Sequence, residues 1–200
     1  MLIHALFLAS HVNGPGNRAV VFVQGCRLGC AGCWNPQTHA FKGADWSVPE
    51  LAEWLCARQA TNLIDGVTFS GGEPTHQIGE VVELIKGLRR GMPDLSIGMF
   101  SGYSEQELQA GSYWTRDSLD QAMRAHRWSE LQGLLDFAVL GRFNHRLPVL
   151  DPLRTSRNQR LHLYSTRYCE ADFEAPQVEV TIEPHGLVEI TGFPVSGLPV

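Results

Sequence analysis

The chain has 200 residues, within the roughly 100–200 expected of one ordinary domain. Its 16 Lys and Arg against 21 Asp and Glu leave a formal net charge of −5, which gives no long-range attraction for phosphate backbones or anionic lipid. Nucleic acid and membrane surfaces are therefore not expected as partners. An apolar fraction of 44% is enough for a real core, and no uncharged apolar stretch approaches the about 20 residues of a membrane helix.

The opening MLIHALFLAS has no Lys or Arg ahead of its apolar run, so it reads as a strand rather than a signal peptide. Ala19–Gln24 (AVVFVQ) is a short β-branched run of the kind found in buried strands, and a cysteine-rich loop follows it. Ser47 then caps a helix with Pro49 and Glu50 in its first turn and Leu51, Trp54 and Leu55 on one face. Gly66–Ser70 (GVTFS) is a second buried strand with SGGEP as its exit loop. Ile78–Arg90 is a helix that stops at Gly91 with Pro93 beyond. Leu95–Phe100 is a third strand, a helix begins near Ser104, another covers about Ser118–His126, and Leu134–Leu140 is a fourth strand.

Strands separated by helices predict βα units and a parallel sheet. A closed eightfold barrel needs roughly 250 residues, so an incomplete, open barrel is expected instead. The tail changes style. Gln177–Glu183 and Leu187–Thr191 alternate apolar and polar residues around Pro184-His185-Gly186, which predicts a β-hairpin with one face buried. The expected organisation is a core over residues 1–160 and a β-rich extension over 161–200 packed on the same domain.

Three of the five cysteines crowd at Cys26, Cys30 and Cys33, while Cys56 and Cys169 stand alone. A secreted disulfide framework would use an even, dispersed set, so a shared metal centre in a reducing cytoplasm is expected. The two lone cysteines read as small buried apolar residues. Three thiolates can hold three irons of a [4Fe–4S] cluster and leave the fourth iron open to a small molecule. The competing reading is a structural zinc site with His39 as fourth ligand.

One βα unit later, Ser70–Pro74 places two glycines and a carboxylate, Glu73, at a strand's end. An exposed backbone edge beside a carboxylate suits a ligand with an ammonium group. The loop lacks the spacing and lysine of a phosphate loop.

Together these motifs resemble the radical S-adenosylmethionine superfamily, and within it the small activating enzymes of glycyl-radical enzymes, of the anaerobic ribonucleotide reductase activase type. The matching residues are NGPGNR at 13–18, VVFVQGCRLGCAGCWNP at 20–36, FSGGEP at 69–74, FSGY at 100–103 and RNQR at 157–160. The resemblance implies an open parallel βα barrel in which Cys26, Cys30 and Cys33 ligate the cluster. Its open iron would chelate the amino and carboxylate groups of S-adenosylmethionine. Gly71, Gly72 and Glu73 would hold that amino group, the backbone around Gly32, Cys33 and Trp34 would contact the adenine, and Ser101 would reach the ribose or carboxylate. Asn158 and Arg160 are expected to face the same pocket. The implied reaction is reductive cleavage to a 5′-deoxyadenosyl radical, fed by a reductant such as flavodoxin or ferredoxin and spent on a glycine of a glycyl-radical enzyme.

No side-chain acid or base is needed for that cleavage, so His11, His39, His76 and His145 are expected to be surface or capping residues. Two departures stand out: Asn13 replaces the usual Asp before GPG, and about forty residues follow RNQR. That tail keeps open a radical enzyme acting on a small molecule or peptide. A non-enzymatic metal-binding module is the third reading.

Overall fold

The computed structural model describes residues 1–61, 64–149, 151, 153–174, 178–182 and 188–192. Its main sheet contains β1 (Leu2–Phe7), β2 (Arg18–Val23), β3 (Ala44–Asp45), β4 (Gly66–Gly71), β5 (Ser96–Ser101), β6 (Phe137–Leu140) and β7 (Arg160–Leu163), in the order β3-β1-β2-β4-β5-β6-β7. The three central pairings are parallel, as expected. Both margins are antiparallel: β1 runs against β2 and β3, and β7 against β6. The sheet is open, with β3 and β7 at its ends.

Helices α1 (Val48–Ala60), α2 (Ile78–Gly91), α3 (Glu105–Gln109) and α4 (Gln121–Gln132) pack over one face. Local chemistry starts each of the first and third cleanly. Ser47 with Glu50 and Ser104 with Glu107 form capping boxes. The amphipathic stripe of α2, with Ile78, Val81, Leu84, Ile85 and Leu88 buried, meets Val67, Phe69, Ile97 and Met99 of the sheet. The last helix runs further than its sequence suggests. Asp120 caps it, and the buried Trp128 and Leu131 carry it past His126 through a mostly polar stretch with little periodic contrast.

The opposite face is closed by different means. Phe137 and Val139 pack with Leu153 and Phe173, so residues 153–173 contribute to the core. Arg18, wholly buried, lies across this face. Its guanidinium donates to Thr68 Oγ1 (2.6 Å), Ser96 Oγ (3.1 Å) and the carbonyls of Pro15, Val67 and Ser96 (2.9, 3.0 and 3.2 Å), and rests 5.0 Å from the Phe137 ring centre. Thr68 Oγ1 in turn donates to the Asn13 carbonyl (2.8 Å), so this network fastens the NGPG loop beneath the sheet.

The hairpin exists as β8 (Val178–Ile182) and β9 (Val188–Gly192), antiparallel with Val180 opposite Ile190. Its turn, Pro184-His185-Gly186, lies outside the described residues, as do Gln177, Glu183 and Leu187. The expected burial of its apolar face is wrong. The polar face turns inward: Asn13 Nδ2 donates to Thr191 Oγ1 (2.9 Å), and the His11 amide donates to Glu179 (2.9 Å). Val180, Ile182, Val188 and Ile190 are left 44–71% exposed. Alternation determines that one face is apolar, not which face meets the body. Loop 10–13 presents an amide and an imidazole, which select the polar side. Two smaller expectations also fail: Cys169 is exposed rather than buried, and Cys56 is half-buried.

Replacing Arg18 with Leu strands several buried acceptors at once, so it should cost roughly 3 kcal/mol, or a fall in Tm of about 10 °C for a domain of this size. Thermal unfolding followed by circular dichroism measures it. Arg18→Lys should recover little, because an ammonium cannot span the same partners.

Candidate functional site

All four parallel strands end on one edge of the sheet, and each exit loop contributes to a single cleft. The cleft is lined by Cys26, Cys30, Cys33 and Trp34 after β2, Ser70–Glu73 at the end of β4, Ser101 at the end of β5, and Gly141 and Phe143 after β6. The sequence motifs thus converge in space.

The cysteine loop is held at its base by backbone bonds. The Gly25 amide donates to the Thr38 carbonyl (2.7 Å) and the Cys26 amide to that of His39 (3.1 Å). Gln24 braces the same turn through the carbonyls of Gln37 and Ala40. Within the loop the Cys33 amide donates to the Cys30 carbonyl (3.2 Å), and the Asn35 amide donates to Cys33 Sγ at 3.4 Å.

The glycine loop docks onto this base directly. The Gly72 amide donates to the Val23 carbonyl (2.8 Å) and the Glu73 amide to the Gly25 carbonyl (3.0 Å). A Cβ on Gly72 would fall 2.6 Å from the Gly25 carbonyl oxygen, and one on Gly71 would meet the backbone of Phe22 and Val23 at 2.9 Å. Gly71 also sits at φ +90°. The two glycines therefore let two loops touch backbone to backbone, beyond any access they give a ligand.

Glu73 is completely buried, and its carboxylate accepts four hydrogen bonds. Thr75 donates its amide and hydroxyl (3.0 and 2.8 Å), Ser101 its hydroxyl (2.9 Å) and Gly102 its amide (2.8 Å). Burial raises its pKa, and these donors oppose the rise. Ser101 thus meets the cleft as a partner of Glu73. Between them they tie the exit of β4 to the exit of β5.

Gly32 stands exposed on the rim, where an added Cβ would lie 3.6 Å from His145 and 3.7 Å from Phe143. Trp34 packs against Phe143 with ring centres 6.0 Å apart, forming an aromatic lip. Asn158 and Arg160 do not line the cleft. Asn158 donates to the Arg142 carbonyl (2.8 Å), and Arg160 points into neighbouring surface pockets. Gln159 between them is the residue that reaches the cleft, and it braces the Gly141 carbonyl (3.3 Å). Sequence reasoning missed Gln159 and Phe143, because neither has a signal apart from its fold neighbours.

His76 is also misplaced by the sequence reading, being buried rather than superficial. Its Nε2 pairs with the Tyr103 hydroxyl (3.1 Å), and Phe41 and Trp114 pack on its ring. Burial, reinforced by the nearby Arg27 charge, lowers its pKa to about 4, so it is neutral at pH 7.

Burial raises the Cys26 thiol to about 12, with Glu73, Cys30 and Cys33 adding repulsion, and burial likewise raises Cys30. Thiols held protonated in this way take up a cationic centre only by releasing their protons, so binding there displaces protons. Among the described residues no three His, Cys, Asp or Glu side chains gather tightly enough for a single metal ion. Zinc needs its ligands to converge on one point. Three thiolates can each take one iron of a [4Fe–4S] cluster, so Cys26, Cys30 and Cys33 fit such a cluster.

Comparison with known proteins agrees with this chemistry. The family model described as a 4Fe-4S single cluster domain matches residues 12–162. The anaerobic ribonucleoside-triphosphate reductase-activating protein of Enterobacteria phage T4 is 25% identical over 158 residues, covering 78% of this chain and 90% of its own. Its counterpart in Vibrio cholerae is 31% identical over 112 residues, covering 54% and 72%. A Haemophilus influenzae protein provisionally named a glycyl-radical enzyme activating enzyme is 40% identical over 90 residues, covering 44% of this chain and 34% of its own. The chain belongs to the 4Fe-4S single cluster domain family and is a relative of the anaerobic ribonucleotide reductase-activating proteins.

Proposed function

We propose that the protein is a radical S-adenosylmethionine activase that creates a glycyl radical on a partner enzyme. The observation that carries this reading is the joining of Cys26, Cys30 and Cys33 with the glycine loop and Glu73 in one cleft. Cys26, Cys30 and Cys33 would hold the [4Fe–4S] cluster. When bound, that cluster with S-adenosylmethionine supplies one electron to the sulfonium and releases methionine and a 5′-deoxyadenosyl group able to take a hydrogen atom.

The chain's own residues bind and orient. The exposed backbone edge at Gly71 and Gly72, with the Glu73 carboxylate behind it, suits the ammonium of the methionine part. The Trp34–Phe143 lip offers flat apolar surface for an adenine ring. Ser101 and Gln159 line the same space while their side chains hold Glu73 and the Gly141 carbonyl in place. Neutral His76 and its aromatic neighbours back the cysteine loop and keep water from behind it. The relatives' names concern anaerobic ribonucleoside-triphosphate reductase and glycyl-radical enzymes, which supports a protein backbone glycine as the target. Electrons would come from a carrier such as flavodoxin or ferredoxin.

Anaerobic reconstitution should load a cluster that Cys26→Ala, Cys30→Ala or Cys33→Ala abolishes and that Cys56→Ala and Cys169→Ala retain. Iron and sulfide analysis with Mössbauer spectroscopy reads this out, and a cluster that needs Cys56 or Cys169 would sink the assignment. The reduced wild type should form 5′-deoxyadenosine. Gly72→Val should reduce that yield by more than about tenfold, and should lower iron content too, since its side chain meets the Gly25 carbonyl at the base of the cysteine loop. Retention of full iron by Gly72→Val would contradict this reading of the glycine loop.

The partner assignment is tested by mixing reduced enzyme and S-adenosylmethionine with a genomically neighbouring glycyl-radical protein. A glycine-centred doublet in the paramagnetic resonance spectrum is expected. Transfer of deuterium from a labelled small molecule into 5′-deoxyadenosine, with no protein radical, would favour the small-substrate alternative.

A further inference from the structure

The hairpin of β8 and β9 lies beyond residues 12–162, the stretch that the family model matches, and none of its residues lines the cleft that holds the cysteines. It walls a second cavity instead, in which Ile190 and Thr191 stand beside Ala5 and Phe7 of β1 and Phe22 of β2. Asn35 and Ser70 line both the second cavity and the cleft, so the two spaces meet at the cysteine loop. Their floor is a single cross-strand row. Ala5 pairs with Phe22, Phe22 with Ser70 and Phe100 with Val139. Phe69 pairs with Met99, which sets Ser70 beside Phe100. Side chains in one such row share one face of the sheet. A continuous floor therefore runs from the hairpin to the cleft.

The chemistry of the cavity is selective. Among the described residues that line it there is no Lys, Arg, Asp or Glu. A phosphate, carboxylate or ammonium would be desolvated there without a counter-charge. Glu179, the carboxylate at the root of the hairpin, is engaged by His11, whose amide donates to it (2.9 Å) and whose ring pairs with it (3.2 Å). Asn35 uses its backbone amide and carbonyl within the cysteine loop. Among the described residues its carboxamide and the Ser70 hydroxyl have no hydrogen-bond partner, and both match the donors and acceptors of a peptide bond.

The apolar surface does not end at the cavity. Val180 pairs with Ile190 and Ile182 with Val188, and these four side chains stand 44–71% exposed on one face of the hairpin. Ile190 belongs both to that face and to the cavity lining. From Ile190 to Val188 the strip extends about 7 Å past the cavity. The fold does not use this face, since the hairpin is fastened through its polar side by Thr191 to Asn13 and Glu179 to His11. A small neutral molecule in the cavity would leave the strip uncovered, whereas an extended chain covers both.

We infer that the hairpin and the second cavity form a peptide-selecting site, which takes an uncharged, extended segment of a partner protein bearing small or apolar side chains. The segment lies along Val180, Ile182, Val188 and Ile190 and enters the cavity, so that one of its residues reaches Asn35 and Ser70 where the cavity meets the cleft. What becomes of that residue rests on the function proposed above; the binding does not. Hairpin residues that the family model leaves out thus determine specificity, by excluding charged segments and nucleotides for want of a counter-charge.

The test uses the reconstituted protein and a dye-labelled peptide with blocked ends, about twelve residues of Val, Ala and Ser around one Gly, with a photoactivatable leucine beside the Gly. Two sister peptides carry Glu or Lys in place of Ser. Anisotropy should show the neutral peptide binding at least about fivefold more tightly than either sister. Val180→Thr/Ile190→Thr keeps β-branched side chains on an exposed face, so Tm and the basal yield of 5′-deoxyadenosine should not change. The same variant should weaken the neutral peptide at least about fivefold. Light-induced adducts should fall on residues 35–37 or 190–192.

Equal affinity for the three peptides overturns the inference, as does no binding of the neutral one up to about 1 mM. Adducts confined to other residues overturn it too. A dimer in sedimentation velocity that the double variant abolishes gives the apolar face to a second copy of the chain, with the same consequence. Binding is read without turnover, which separates the two proposals. Hairpin-dependent capture of the neutral peptide supports the site even if no S-adenosylmethionine is cleaved, and cleavage without such capture overturns the site alone.

Discussion

The site depends on a backbone-to-backbone contact between the loop after β4 and the base of the cysteine loop. Two amides, those of Gly72 and Glu73, donate to the carbonyls of Val23 and Gly25. The contact exists only because neither Gly71 nor Gly72 has a side chain, since a Cβ on either would fall inside contact distance of that backbone. Through it the cysteine loop, which has little apolar anchorage of its own, inherits the rigidity of the buried parallel strands. Glu73 extends the same clasp to the end of β5 through Ser101 and Gly102. A carboxylate buried without a cation is costly, and the four donors around Glu73 offset that cost while fixing the relative position of three loops.

A second layer of support comes from the far side of the chain. Gln159 braces Gly141, Asn158 braces Arg142, and that loop leans on Gly32 and Trp34. RNQR at 157–160 therefore acts on the cleft mainly by holding a wall in place. The same packing brings Arg142, paired with Glu107, to the rim of a site whose interior holds three thiols and a carboxylate.

The C-terminal residues divide into two physical roles. Residues 153–173 complete the core through Leu153 and Phe173, which pack on Phe137 and Val139 of β6. The hairpin adds little apolar burial and is tethered by polar contacts to His11 and Asn13. Asn13, which departs from the aspartate usual at that position in the resembling family, donates both to Ser10 and to Thr191.

Much of this was legible in the sequence. The βα alternation, the capping boxes at Ser47 and Ser104, the amphipathic stripe of α2 and the C-x3-C-x2-C loop are set by residues near one another in the chain. Local chemistry is enough to read them, and the motif order pointed to one cleft. Other features were decided only by tertiary structure. They include the antiparallel margins of the sheet, the burial of His76, the role of Gln159, the inward turn of the hairpin's polar face and the packing of the loop before Arg146 on the cysteine loop. For the last four the deciding partner is distant in sequence: Tyr103 for His76, Gly141 for Gln159, Asn13 for Thr191 and Gly32 for the loop before Arg146. Periodicity shows that a segment has two chemically different faces, but which face is buried depends on what the rest of the chain presents to it.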